Sequence, residues 1–383
     1  MMTGNGSSTA RARHWMARLL LLAGGTLLGL SLAEVVLSAT GQPRFHRARR
    51  SAASAEWPAA VVGGRPLYVN APGGMRLVYD DDPRGYFGPL HEVDHQTNSL
   101  GFRGPEFRKE KPGDTLRLVF LGDSFTFGDG VHDSDTYAEV TSALLRADLS
   151  DSALMVESLN LGVGGYNAID SARMLRFIGL SYAPDVVVLG YVLNDAEPSL
   201  LEVDPASGRI VWGESAANAP ELAANPLPPD TWPYRLRTAR LLWKYFSDRE
   251  SSRRTVAFYQ SLYEDSAVAW DENRRALHEI IELSESKRIP CIVLLFPILH
   301  ELNDDYPFAG IHAKVAHEVE KAGGTLIDLF PRLKGRKASE LWVHPADQHP
   351  NEEVHAIAAE ELAAAIASLA AVQRRVSERR AGG

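Results

Sequence analysis

From Thr115 onward the apolar positions come in short continuous runs separated by stretches of helical period, and upstream of that point they do not. The run Leu116-Arg-Leu-Val-Phe-Leu121 predicts a strand ending at Gly122-Asp-Ser124, and Thr136 to Leu149 carries helical spacing. Leu154 to Leu161 predicts a short strand leading into Gly162-Val-Gly-Gly-Tyr166, with a helix through Ala172 to Ile178. The unbroken run Asp185-Val-Val-Val-Leu-Gly-Tyr-Val-Leu193 fits a central parallel strand buried on both faces. Helix Asn273 to Ser286, strand Cys291 to Phe296, helix Ile311 to Ala322, strand Thr325 to Leu329 and helix Asn351 to Ala371 continue the series. Regular alternation of strand and helix predicts a parallel sheet covered by helices on both faces.

The flanks read differently. Residues 1–18 form a basic, polar tail containing Arg11, Arg13 and Arg18, and residues 19–39 are apolar apart from small polar residues and Glu34. That run is long enough to cross a hydrocarbon core of ~30 Å, so a signal anchor is expected. Cleavage at Ser31-Leu-Ala33 or Ser38-Ala-Thr40, giving a secreted form, stays open. Arg44, Arg47, Arg49 and Arg50 beyond the span rival the basic residues before it, so charge alone does not orient it. A large domain after a first apolar segment is commonly exported, which places the rest of this single-pass chain in the periplasm or at the cell surface. Residues 40–64 read as a linker, 65–114 as an accessory region of irregular structure or short strands, and 115–375 as the main domain. Within it, residues 196–271 interrupt the alternation with Asn225-Pro-Leu-Pro-Pro-Asp-Thr-Trp-Pro233 and the amphipathic Tyr234 to Phe246. Such an insertion is either a lid over the carboxyl edge of the sheet or a packing appendage.

With 383 residues, 45% of them hydrophobic, the chain has enough apolar sequence for a sizeable core. A formal net charge of −9 argues against nucleic acid as a partner, because phosphate binding needs a concentrated basic face. The single cysteine, Cys291, excludes an intrachain disulfide, and its place in an apolar run predicts a buried strand residue.

A serine hydroxyl attacks carbonyl carbon only when a base takes its proton and donors stabilise the resulting oxyanion. Ser124 sits at a strand end where the chain turns toward a helix, and Gly-Asp-Ser by itself is also an ordinary helix cap. Its company in chain order is more telling. Asn160-Leu-Gly-Val-Gly-Gly-Tyr166 is a flexible turn after the second strand, and Asn194-Asp195 follows the most apolar strand. Asp347-Gln-His-Pro-Asn351 sets a carboxylate two residues from an imidazole, so that Asp347 can hold His349 while the other ring nitrogen accepts the serine proton.

This order of four blocks, Gly122-Asp-Ser-Phe125, Asn160 to Gly165, Asn194-Asp195 and Asp347-x-His349-Pro-Asn, resembles the SGNH/GDSL hydrolase superfamily, and more narrowly its membrane-anchored bacterial esterases. The resemblance implies a three-layer α/β/α flavodoxin-like fold with a mostly parallel five-stranded sheet, besides the amino-terminal transmembrane helix. It implies Ser124 as nucleophile, His349 as general base and Asp347 as its orienting partner. It further implies an oxyanion hole made by the Ser124 and Gly165 backbone N–H groups and the Asn194 side-chain amide, with no cofactor and no metal. Two departures stand out: Val192-Leu193 replaces the glycine common before the third-block asparagine, and one residue separates Asp347 from His349 where many relatives have two. Asn98-Ser-Leu-Gly-Phe-Arg103 resembles a segment upstream of the catalytic domain in membrane-anchored relatives, which implies an accessory region packed on that domain.

The expected activity is cleavage of carboxylic O-acyl or O-acetyl esters of a small molecule or glycan. Acyl transfer to a cell-envelope polysaccharide passes through the same acyl-enzyme and is the alternative, and a catalytically inactive binding module is a third reading. A metal reading would gather His344, Asp347, His349 and His355, but it leaves the serine, glycine and asparagine blocks without a role. His355 then falls on the last helix as a structural or supporting residue. Oligomeric state is not legible.

Overall fold

Five apolar runs become the strands β1 (Thr115–Gly122), β2 (Met155–Asn160), β3 (Val186–Tyr191), β4 (Cys291–Leu295) and β5 (Thr325–Asp328). They form one sheet in the order β5-β4-β3-β1-β2, every neighbouring pair parallel. This computed structural model describes residues 6–52, 59–62, 65–152, 154–198, 201–203, 210–212 and 227–382. Every residue of β1, β3 and β4 is buried, which is why those runs are continuously apolar, whereas the edge strand β5 is half-exposed. Arg117 breaks the β1 run and is nonetheless fully buried, because it reaches Glu157 at 2.7 Å and the carbonyls of Tyr182, Lys109 and Arg108.

The helices in chain order are α1 (Gly6–Thr40), α2 (Ser124–Phe127), α3 (Tyr137–Asp148), α4 (Ala168–Phe177), α5 (Arg237–Leu262), α6 (Val268–Ser286), α7 (Ala309–Lys321), α8 (Phe330–Leu333), α9 (Glu352–Ser368) and α10 (Ala370–Gly382). Side-chain caps start α3, α4 and α9: Thr136 accepts from Glu139 N, Asn167 from Asp170 N and Asn351 from Glu353 N and Val354 N. Helix α3 packs with α9, and α4 with α6, which in turn meets α7. The one long helix expected over Asn351 to Ala371 is instead two, bent by 67° at Leu369. The flavodoxin-like order places its switch point between β1 and β3, where open sheets of this kind take their ligands.

Upstream of the sheet, Ala48–Ala52, Met75–Tyr79 and Glu92–His95 form an antiparallel three-stranded sheet, and Ala59–Val62 pairs with Arg65–Tyr68. Two of these strands lie in the stretch expected to be a linker. The accessory region has its own apolar cluster, Leu77, Tyr79, Phe87 and Val93, closed by Val131 and Val343 of the main domain. Burying that face against the main domain is what lets short, Gly- and Pro-broken strands hold.

Contacts divide the chain into two compact units, Met1–Phe45 with Ala223–Ser252, and His46–Leu222 with Arg253–Gly383. In the first, Arg13–Thr40 is a helix long and apolar enough to cross a membrane, a candidate anchor or signal sequence. Its one carboxylate, Glu34, accepts from the Arg237 and Thr238 N–H groups at 2.7 and 2.9 Å and so caps the first turn of α5. Residues 199–200, 204–209 and 213–226, which hold much of the segment read as lid or appendage, lie outside the described residues.

Candidate active site

Strand β1 ends on Gly122 with φ 143°, where a Cβ would collide with the Thr126 hydroxyl and come within 2.6 Å of the Gly190 carbonyl. The chain then turns at once into α2, whose first residue is Ser124. Asp123 caps that helix by accepting from Phe125 N at 2.9 Å, and α2 stops at Gly128 with φ 85°. The turn beyond it is held from the accessory region. Arg103, fully buried, donates to the carbonyls of Phe127 at 3.3 Å, Gly128 at 3.2 Å and Val131 at 2.8 Å, and pairs with Asp133 at 2.6 Å. This is the physical content of the Asn98 to Arg103 motif.

The histidine arrives on a hairpin made by Trp342–His344 and Asp347–Pro350. Residues two apart on a strand share a face, so a single intervening residue suffices to bring Asp347 against the ring of His349. His349 Nδ1 lies 2.5 Å from Asp347 Oδ1, and the His349 backbone N–H donates to the same oxygen at 3.2 Å. On the other side of the ring, Nε2 lies 2.8 Å from Ser124 Oγ. Burial by itself would raise the Asp347 carboxyl, but the His349 charge and the hydrogen bonds from His349 and Tyr79 outweigh it and hold the acid well below the usual range. An ionised Asp347 only accepts, so Nδ1 carries the proton and Nε2 faces the serine with its lone pair. Ser124 and His349 remain partly exposed to solvent, and the rings of Phe125 and His349 pack edge to face with centroids 5.6 Å apart.

The second and third blocks converge on the same edge. Asn160 donates to the Thr126 carbonyl at 2.7 Å and accepts from Gly162 N at 3.0 Å, tying the glycine turn to α2. A Cβ on Gly162 would lie 2.5 Å from Phe127 N, so only glycine allows that approach. The turn ends on Gly165 with φ 83°, and a Cβ on Gly164 would stand 4.0 Å from Ser124 Cβ. Asn194 donates through Nδ2 to Asp123 Oδ2 at 2.7 Å, which fixes the amide beside the serine and leaves its second N–H to point elsewhere. Burial pushes the Asp123 carboxyl up, against the lowering by the Asn194 and Phe125 hydrogen bonds. Gly190, inside the strand upstream of Asn194, pairs with Gly122, and a Cβ there would lie 2.5 Å from the Tyr137 hydroxyl.

Two residues around this site carry no signal in the sequence, and a third shows only part of its role there. Tyr79 donates its hydroxyl to Asp347 Oδ2 at 2.9 Å from the accessory sheet. Asp129, buried, places a second carboxylate 4.0 Å from His349 Nε2. Asp123 belongs to the Gly-Asp-Ser block, but its grip on Asn194 needed the fold to be visible. The residues of the metal reading separate: His344 turns to Asp81 at 2.9 Å, and His355 accepts from Tyr137 N at 3.2 Å inside the core. Cys291 is a buried strand residue whose thiol burial pushes up to about 12.

Two solved structures are similar to the chain over part of its length. LAE5, an alpha/beta hydrolase enzyme from the metagenome of Lake Arreo, Spain, is 17% identical with a TM-score of 0.41, covering 67% of this chain and 96% of that one. A catalytic mutant of Axe2, an acetylxylan esterase from Geobacillus stearothermophilus, is 17% identical with a TM-score of 0.39, covering 70% of this chain and 96% of that one. No curated protein sequence matches. The model of the GDSL-like Lipase/Acylhydrolase family matches residues 120–357, more than half the chain and all four blocks, and the protein therefore belongs to that family of ester-hydrolysing enzymes.

Proposed function

We propose that the protein cleaves carboxylic O-acyl esters, O-acetyl groups included, of a small molecule or glycan through an acyl-enzyme on Ser124. One observation carries the reading: a single imidazole lies 2.8 Å from a strand-end serine hydroxyl and 2.5 Å from a partly buried carboxylate. Ser124 Oγ attacks the ester carbonyl carbon as its proton passes to His349 Nε2, and the imidazolium is stabilised by Asp347. The tetrahedral oxyanion takes hydrogen bonds from the Ser124 N–H, which opens a helix and has no partner within it, from the Gly165 N–H, and from the second N–H of Asn194. Collapse breaks the bond to the alcohol, which leaves with the proton from His349. Water, deprotonated by the same nitrogen, then attacks the acyl carbon, and release of the carboxylic acid restores Ser124. The apolar helix at the amino terminus supports a membrane-anchored enzyme with its catalytic domain outside the cytoplasm.

The test uses the full chain solubilised in detergent with p-nitrophenyl acetate as substrate. Wild type is expected to release p-nitrophenolate and to be labelled on Ser124 by a fluorophosphonate, located by peptide mass spectrometry. Ser124→Ala is expected to lose turnover by about 10³-fold or more with an unchanged circular dichroism spectrum. Equal turnover by that variant, or labelling at another residue, overturns the mechanism.

A further inference from the structure

Beside the catalytic edge, and outside the residues that take part in the proposed reaction, four side chains from three distant parts of the chain converge. The register Ala48↔Tyr79 of the accessory sheet, extended by the Asp80 N–H bond to the Arg47 carbonyl, brings His46 opposite Asp81. The hairpin that carries Asp347 and His349 presents His344 to the same point. His46 Nδ1 lies 3.0 Å from Asp81 Oδ1 and 3.8 Å from Asp80 Oδ1, and His344 Nε2 lies 2.9 and 3.7 Å from those same oxygens. All four atoms lie within 4.8 Å of one another.

We propose that His46, Asp80, Asp81 and His344 bind a divalent zinc ion that clamps the accessory region to the Asp347–His349 hairpin. A tetrahedral zinc with bonds of about 2.0 Å holds its ligand atoms about 3.3 Å apart, and the four measured separations bracket that value. Two imidazole nitrogens and two carboxylate oxygens are a borderline donor set that suits zinc, whereas calcium and magnesium call for six or more oxygens. Two neutral histidines and two carboxylates carry a formal charge of −2, which one divalent cation cancels. Asp80 has a side chain 40% exposed while that of His344 is fully buried, so an ion enters from solvent and seats against a fixed ring. That ring is held from behind by Tyr79, with centroids 4.7 Å apart, and Tyr79 is the residue that donates to Asp347.

Without an ion, His344 Nδ1 accepts from Ala346 N at 3.1 Å, so its proton sits on Nε2 and is donated to Asp81. Ligation through Nε2 moves that proton to Nδ1 and opens the Ala346 contact. For His46, ligation through Nδ1 moves the ring proton to Nε2. Each ring keeps one proton, so binding to the neutral histidines releases none, and opening the Ala346 contact is a local cost of the site.

The experiment strips the detergent-solubilised full chain with a chelator, then measures zinc binding by calorimetry and metal content by mass spectrometry. The expected result is one zinc per chain, a raised unfolding midpoint, no competition from calcium or magnesium, and visible d–d bands of four-coordinate intensity on substitution with cobalt. His46→Gln and Asp80→Asn, each checked for native circular dichroism, are expected to weaken zinc binding by ~100-fold and to lose the cobalt bands, while His349→Ala keeps both. Absence of zinc binding by the stripped wild type overturns the proposal. So does binding by His46→Gln and Asp80→Asn equal to wild type, or its loss in His349→Ala, which would place the ion on the catalytic histidine.

Discussion

The Tyr79 hydroxyl donates to Asp347 Oδ2 at 2.9 Å, so the oxygen of Asp347 not used by His349 is held by a residue of the accessory sheet. A hydrogen bond to an ionised group contributes about 1.5–3 kcal/mol, and losing it frees the carboxylate to turn away from the imidazole. Tyr79→Phe is therefore expected to lower kcat for p-nitrophenyl acetate by about tenfold or more with KM little changed and the fold intact. Steady-state kinetics beside circular dichroism checks it, and an unchanged kcat would remove Tyr79 from the site.

Arg103 presents a fixed fork of donors to three carbonyls of the turn after α2. Replacing it with methionine fills much of the volume but leaves those carbonyls and Asp133 without their donor. Breaking a buried charged network of this kind costs about 3–5 kcal/mol. A fall in the urea midpoint of Arg103→Met, with activity lost in parallel, is expected, and a midpoint within error of wild type contradicts the role given to this turn.

His355 is buried and neutral, its conjugate acid pushed down to about 3, first by burial and then by the Arg103 and His349 charges. In the unfolded chain its ordinary value is 6.5. Between those values the unfolded state takes up a proton that the folded state refuses, so the stability His355 gives is whole above pH 6.5 and drains as pH falls toward 3. Asp347, depressed in the fold, adds a loss only below its own unfolded value of 3.8. His355→Gln, whose amide oxygen still accepts from Tyr137 N, is expected to flatten the dependence of Tm on pH between 6.5 and about 4 relative to wild type. Parallel curves for the two proteins refute it.

The Cys291 thiol, buried in β4 and pushed up to about 12, has almost no thiolate at about pH 8. Iodoacetamide is expected to leave it unmodified in the native chain and to alkylate it within minutes in about 6 M guanidinium, as read by intact mass. Rapid alkylation of the native protein would mean that β4 opens.

Pattern alone was enough for the sheet. β3 and β4 are continuously apolar, and β1 nearly so, because both faces are covered, and short runs of that kind in alternation with helical stretches suit strands inside a covered sheet. Helix starts were legible at the capping residues Thr136 and Asn351, but the start of α4 at its cap Asn167 was read only from Ala172, and no cap marks the bend between α9 and α10 at Leu369. The accessory strands were blurred, since short segments broken by Gly, Pro and Asp have too few residues to show a period.

Ser124, Gly165, Asn194, Asp347 and His349 were named from four ordered blocks that resemble the SGNH/GDSL superfamily, and the order of blocks along a chain is a property of sequence. What the tertiary structure decided is everything that depends on meeting across the chain. Tyr79 lies 268 residues from the carboxylate it holds, and the rings of His46 and His344, from distant parts of the chain, meet edge-on with centroids 5.3 Å apart. A side chain's partner at that separation is set by how sheets stack and registers align, and no spacing along the sequence encodes it.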